Sequence, residues 1–375
     1  MTKPRVPHHS RRDFMQYVAT AAGASIVTPA VAAAQGRGRG AAQPAAPPVN
    51  PNTPIQPMKL GVFGIDLTFW GIWADLLSPQ GRYAGTSMLR MRPTHIWDKD
   101  TAKAQEFARR WGLEVVDRYD AMLGKVDAVL NGDLYNTPWQ HQLMRPYLEA
   151  GTPCFLQRHW ADTIAHLDEM LDLSAKHNTP IMATVPFEHY PQTDALIAKL
   201  KSAGEVQSVF GTAEIADEPH FHLPYMVLKI LGYDVDWVSM MADDVRRVGY
   251  LNINYGYAKT ASRPRPFVAS MHGARPDVVS LTIVGQQATI SESMPGSASY
   301  YTRFFDQLVD IQKAFEKKTQ YQPADVIRKK YLCLQAAYYS QTERGGAPVK
   351  VGSVPAEWKL PAWRPDWYDG SEFRR

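Results

Sequence analysis

From Lys59 onward the chain alternates short apolar runs with helix-length amphipathic segments, and that alternation leaves few folds open to it. The first run, Leu60-Gly61-Val62-Phe63-Gly64, is apolar throughout and reaches a glycine, as a buried parallel strand does before a tight turn. The segment up to about residue 77 is the expected place for the following helix. A second strand is expected over 92–97, ending in Asp98, and a helix over 101–111, stopped by Gly112. Val126-Asp127-Ala128-Val129-Leu130 reads as a third strand, 141–150 as a helix with Gly151 at its end, and 153–156 as a further strand. Strands and helices at this spacing predict an α/β fold built on a doubly wound parallel sheet.

Upstream of Lys59 the chain reads differently. Ser10-Arg11-Arg12-Asp13-Phe14-Met15-Gln16 matches the twin-arginine pattern, and an Ala-rich stretch over 17–34 ends in Ala32-Ala33-Ala34, small residues suited to signal peptidase. That stretch is too short and Ala-rich to span a bilayer well. Residues 1–34 are therefore expected to be a signal peptide, and the mature protein to be periplasmic or secreted without a membrane anchor. Residues 35–58 are rich in Pro, Ala and Gly and read as a flexible tether. The twin-arginine route carries folded proteins, which favours a cofactor without naming one. The net charge of +4 owes much to Arg and Lys near the N-terminus, and no basic stripe interleaved with aromatics suggests nucleic acid. Cys154 and Cys333 are too few and too far apart for a disulfide framework or a Cys-based zinc site, and are expected to be buried thiols.

The order of these segments resembles the Gfo/Idh/MocA dehydrogenases over roughly residues 58 to 352. The resemblance rests on the first strand and its glycine turn, Asp98, the Val-Asp-Ala-Val strand, Leu-Glu-Ala-Gly-Thr-Pro at 148–153 and the helix after Asp162. Further along it rests on Leu281-Thr282-Ile283-Val284-Gly285 and on helical segments over 301–315 and 325–342. It implies a Rossmann-like domain over 59–159 and an α+β domain over 160–352 with a large, mostly antiparallel open sheet. A tail follows over 353–375, whose Trp358, Trp363 and Trp367 are expected to wrap over the body or a neighbour. The resemblance also implies NAD or NADP as cofactor, a small carbohydrate as substrate, and a homo-oligomer.

Mapped onto this chain, the cofactor set is Gly61, Gly64, Asp66 and Asp98. Asp98 falls where the family holds the adenosine ribose. In the phosphate turn Gly64 keeps the first glycine position, but Asp66 and Phe69 replace the other two. A carboxylate there opposes a diphosphate, although Asp66 also suits a helix N-cap.

Where the family carries Glu-Lys-Pro, this chain has Gln157-Arg158-His159. Arg158 keeps the positive charge but cannot shuttle a proton, and a buried ion pair is an equal reading of it. His222 falls on the family's catalytic histidine, the base that takes the hydroxyl proton, with Tyr225 in place of its partner aspartate. The catalytic set is thus His222, Arg158 and Tyr225, with His159, Glu188, His189, His220 and His272 as candidate substrate contacts. Glu188 and His189 are expected at the end of a strand over 181–187, and His272 and Arg275 in a loop.

No residue is assigned as a metal ligand. His220 and His222 on extended chain, with Glu214, Asp217 or Glu218 nearby, leave a divalent metal open as an alternative. Three functions follow: a sugar oxidoreductase, a non-redox glycoside lyase or hydrolase on the same scaffold, and a non-catalytic sugar-binding protein.

Overall fold

The computed structural model describes residues 57–64, 73–81, 89–133, 136–213, 222–243, 248–256, 266–273, 278–295 and 300–361. The twin-arginine segment, Asp66, Phe69, Glu214, Asp217, Glu218, His220, Arg275, Trp363 and Trp367 lie outside them.

Among the described residues, six strands form a parallel sheet: β1 (Met58–Phe63), β2 (Met91–Trp97), β3 (Glu114–Val115), β4 (Ala128–Asn131), β5 (Cys154–Phe155) and β6 (Ile181–Met182). Their spatial order is β3-β2-β1-β4-β5-β6, the doubly wound order with its reversal between β1 and β4. Side chains alternate between two buried layers, as a period of two requires when both faces are covered. Leu60, Val62, Leu130 and Phe155 enter one cluster; Phe63, Val129, Cys154 and Leu156 enter the other.

Helix α1 (Thr101–Trp111) shows why the early elements are so regular. The Asp100 side chain accepts from the Lys103 N–H at 3.1 Å, Gly112 closes the helix at φ 71°, and Ala104, Phe107, Ala108 and Trp111 form its buried stripe. Helices α2 (Gln140–Glu149) and α3 (Ile164–His177) cover the opposite face of the sheet. The first sheet extends past the boundary expected at 159, because β6 pairs with β5.

A 3₁₀ turn (Pro186–His189) and α4 (Pro191–Ala203) then lead into the second sheet. It comprises β7 (Val206–Ala213), β8 (Trp237–Asp243), β9 (Val248–Tyr255), β10 (Phe267–Gly273), β11 (Val278–Gly285), β12 (Thr289–Pro295) and β13 (Val349–Lys350). The order is β12-β11-β7-β10-β9-β8-β13, antiparallel except where β7 meets β10. Its inner face buries Val209, Leu251, Ile253, Met271 and Leu281 against α5 (His222–Leu231) and α7 (Ala324–Arg344). Its outer face exposes Phe210, Trp237, Met241 and Val268.

Helix α6 (Tyr300–Glu316) returns to the first sheet, where Phe304, Leu308, Ile311 and Phe315 join the cluster of Leu60 and Val62. Trp358 packs edge-on to Tyr339 at 5.3 Å, and the buried Leu360 donates its N–H to the Asp162 carbonyl. Both cysteines are buried free thiols, and among the described residues no helix is long and apolar enough to cross a membrane.

Two local expectations are corrected. The strand expected over 181–187 is only two residues long, and Pro186, which lacks an N–H, opens a 3₁₀ turn further on. His272 lies in β10 rather than in a loop, paired with Tyr250 on one side and Thr212 on the other.

Candidate functional site

The strand order reverses between β1 and β4, and open α/β sheets bind ligands outside the carboxyl ends of their strands at such a point. Gly64 stands there with φ +67°, donating its N–H to the Trp97 carbonyl at 3.0 Å. A Cβ there would lie 2.3 Å from Asp133 Cβ and 2.7 Å from Asn136 Nδ2, so only glycine fits. Gly61 serves a different purpose from the cofactor role expected of it. It sits inside β1, and Met122 Sδ lies 2.8 Å from where its Cβ would be, so its missing side chain lets the strand pack closely. Asp98 follows β2, is 4% exposed, and accepts from the Asp100 N–H at 2.8 Å just before α1. Asp133 is a buried acid that the sequence reading passed over. Its position two residues beyond β4 at the carboxyl edge is the signal that would have found it.

The loop after β5 carries Arg158 and His159, both buried. Gln140 pins it from the start of α2. Its amide nitrogen donates to the carbonyls of Gln157 at 3.0 Å and Trp160 at 2.6 Å, while its oxygen accepts from the Gln157 N–H at 2.8 Å. Gln140 also accepts from Asn131 Nδ2 at 2.6 Å, so one side chain ties β4 to this loop. The peptide joining Arg158 to His159 is cis. His159 meets Tyr338 edge-on at 5.6 Å rather than facing open space, and it is fully buried, which argues against direct substrate contact.

His222 opens α5 instead of lying on extended chain. Its ring is 4% exposed and stacks on Phe187 at 5.1 Å, within the turn that leaves the carboxyl side of β6. One helical turn on, Tyr225 is fully buried and stacks on Trp160 at 4.9 Å. Burial pushes its phenol well above the ordinary range, which weakens it as an acid and leaves it a hydrogen-bond donor.

Between these rings sits Lys330, a residue with no role in the sequence reading. Its Nζ lies 4.7 Å from the Trp160 ring and 5.2 Å from the Tyr225 ring, and it donates to Glu188 at 2.7 and 2.9 Å. Glu188 is therefore a buried structural anion rather than a substrate contact; its other polar neighbours are the Val185 N–H and Gln322. His189 is corrected likewise. One ring nitrogen meets Asp310 and the other Thr184, both at 2.9 Å, so neither is left for a sugar. His272 lies on the exposed face of β10 alongside Val268, opposite the buried Ala269 and Met271, and so away from this cluster. The structure thus brings together His222, Tyr225, Glu188 and the Arg158–Trp160 loop, and sets His272 apart.

No family model and no curated protein matches the chain. Solved structures do. The scyllo-inositol dehydrogenase of Lactobacillus casei with bound NAD(H) and scyllo-inositol is 12% identical with a TM-score of 0.62, covering 79% of this chain and 100% of that one. The myo-inositol 2-dehydrogenase of Lactobacillus plantarum is 12% identical with a TM-score of 0.61, covering 79% and 99%. An oxidoreductase of Agrobacterium radiobacter in complex with NAD+, L-tartaric acid and magnesium is 14% identical with a TM-score of 0.59, covering 80% and 99%. The chain has the two-domain α/β fold of the inositol dehydrogenases and their related oxidoreductases, which is the Gfo/Idh/MocA type of fold.

Proposed function

We propose that this chain is an exported oxidoreductase acting on a sugar, polyol or sugar derivative, with NAD(P) along the carboxyl edge of its first sheet. The observation that carries this reading is the placing of His222, a buried imidazole opening α5 against the turn that leaves β6. The sheet order and Asp98 fit a dinucleotide: Asp98 would hold the adenosine ribose, and the turn that begins at Gly64 would carry the diphosphate. When bound, the nicotinamide supplies the hydride acceptor.

The residues of the chain then divide the remaining work. His222 takes the proton of the substrate hydroxyl. Arg158, whose guanidinium stays charged, orients and polarises the substrate oxygen. Tyr225, Trp160 and Phe187 form an apolar wall that excludes water. The twin-arginine segment supports export of a protein already loaded with its cofactor. The outer face of the second sheet, with Phe210, Trp237 and Met241 exposed, supports self-association; a monomer by sedimentation at micromolar concentration would remove that part.

The test is mass spectrometry of what the natively exported protein releases on denaturation. Released NAD(P), together with loss of turnover in a folded His222→Ala variant, is the expected result. Wild-type turnover in that variant removes His222 from the mechanism. A second reading, non-redox chemistry on the same sugar class, draws support from Asp133, whose carboxylate packs against Gly64 at the carboxyl edge of the first sheet. Turnover without any bound nucleotide would favour it.

A further inference from the structure

We propose that His141, Asp162 and His166 form a binding site for a divalent transition metal of the zinc class, tied to the C-terminal segment of the chain. The inference is independent of what occupies the carboxyl edge of the first sheet, since none of the three residues belongs to the set assigned there. His141 lies in the first turn of α2, Asp162 just before α3 and His166 in its first turn. Each offers one donor atom, and the three donors lie within 4.8 Å of one another. Two imidazoles and one carboxylate make a donor set that suits zinc, with a fourth position left for water.

One member of the arrangement carries an unanswered polar group. His141 is 5% exposed, and its Nδ1 has no hydrogen-bond partner among the described residues. A buried imidazole nitrogen left without a partner is costly and calls for an explanation. Its ring lies 3.6 Å from that of His166, nearly parallel, and His166 Nδ1 is 2.5 Å from Asp162 Oδ1. Arg145 and Lys359 are the cations that oppose a metal here.

Metal ligation requires the stacked rings to turn so that both lone pairs converge on one point. The ring torsion is broad and soft, and the donors must close to about 3.3 Å, the spacing that metal–nitrogen bonds of about 2.0–2.1 Å give in a tetrahedron. The tail reaches the same loop. Leu360, 4% exposed, donates its N–H to the Asp162 carbonyl, so the tail is tied to the residue that supplies the carboxylate. A metal would therefore clip α2, the loop following Trp160 and α3 together.

The test uses the untagged mature protein, treated with chelator and then titrated with Co2+ and Zn2+. The expected result is stoichiometric uptake, a visible Co2+ absorption of tetrahedral type that Zn2+ displaces, and a Tm raised by Zn2+. His166→Gln, at the more exposed ligand, should fold like the wild type by circular dichroism yet bind at least roughly a hundredfold more weakly, with no Zn2+-dependent rise in Tm. Asp162→Asn should behave the same way. Absence of stoichiometric uptake by the wild type, or retention of both affinity and the Co2+ absorption in the two variants, would overturn the proposal.

Discussion

Replacing Lys330 by methionine should cost far more than a change of similar shape suggests. The ammonium is fully enclosed and donates to Glu188 Oε1 and Oε2, to the Ala183 carbonyl at 3.0 Å and to Gln322 Oε1 at 3.1 Å. Methionine keeps the length and the packing against Trp160 and Tyr225 but removes every donor. Among the described residues the Glu188 carboxylate then retains the Val185 N–H and the Gln322 amide, at 2.9 and 3.2 Å. Breaking one side of such a pair costs about 3–5 kcal/mol, whereas replacing both sides is often near neutral. Burial already drags the Lys330 ammonium below its ordinary range, with Glu188 pulling the other way, so the charged pair itself is expensive to hold. Urea denaturation followed by circular dichroism should therefore show a loss of about 3–5 kcal/mol for Lys330→Met. Lys330→Met/Glu188→Gln should recover at least half of that loss. A single-variant loss below about 1 kcal/mol, or a double variant whose losses simply add, would refute the view that the two charges are held for each other.

Two further outcomes follow from the geometry. Burial, with Asp310 nearby, raises the Asp306 carboxyl to about 6, so the folded state binds more protons than the unfolded one between about pH 4 and 6. Asp306 therefore withdraws stability as pH rises through that window, and Asp306→Asn should stabilise the protein by about 1–3 kcal/mol at pH 7.5 and by little at pH 4; equal effects at the two pH values would contradict this. Gly64→Ala should lose about 2 kcal/mol or more, from the left-handed backbone and the close approach of Asp133; a urea midpoint unchanged from wild type would show that the turn relaxes freely.

Local signals explain what could be read from the chain before its structure. Helix α1 starts at an Asp cap and stops at a left-handed glycine, with its apolar residues spaced for one face, so its limits follow from sequence alone. The alternation of elements likewise foreshadows the reversed strand order. Several residues take their role from a partner far away in sequence. Glu188 looks like a cleft residue until Lys330, 142 positions later, is found against it. His189 looks available until Asp310, 121 positions on, takes its ring. His141 shares no motif spacing with Asp162 and His166, and only the packing of α2 on α3 brings the three together. At Gly61 the ambiguity is local: a strand glycine that makes room for Met122 looks the same in sequence as one that makes room for a phosphate.

The return of α6 to the first sheet has a consequence for biogenesis. Phe304, Leu308, Ile311 and Phe315 complete the layer that begins with Leu60 and Val62, so the earliest strands to leave the ribosome wait for residues translated some 250 positions later. A nascent chain halted before α6 would present an uncovered apolar sheet to chaperones. Maturation should be all-or-none with respect to synthesis, and the N-terminal half should not survive as a separate fragment.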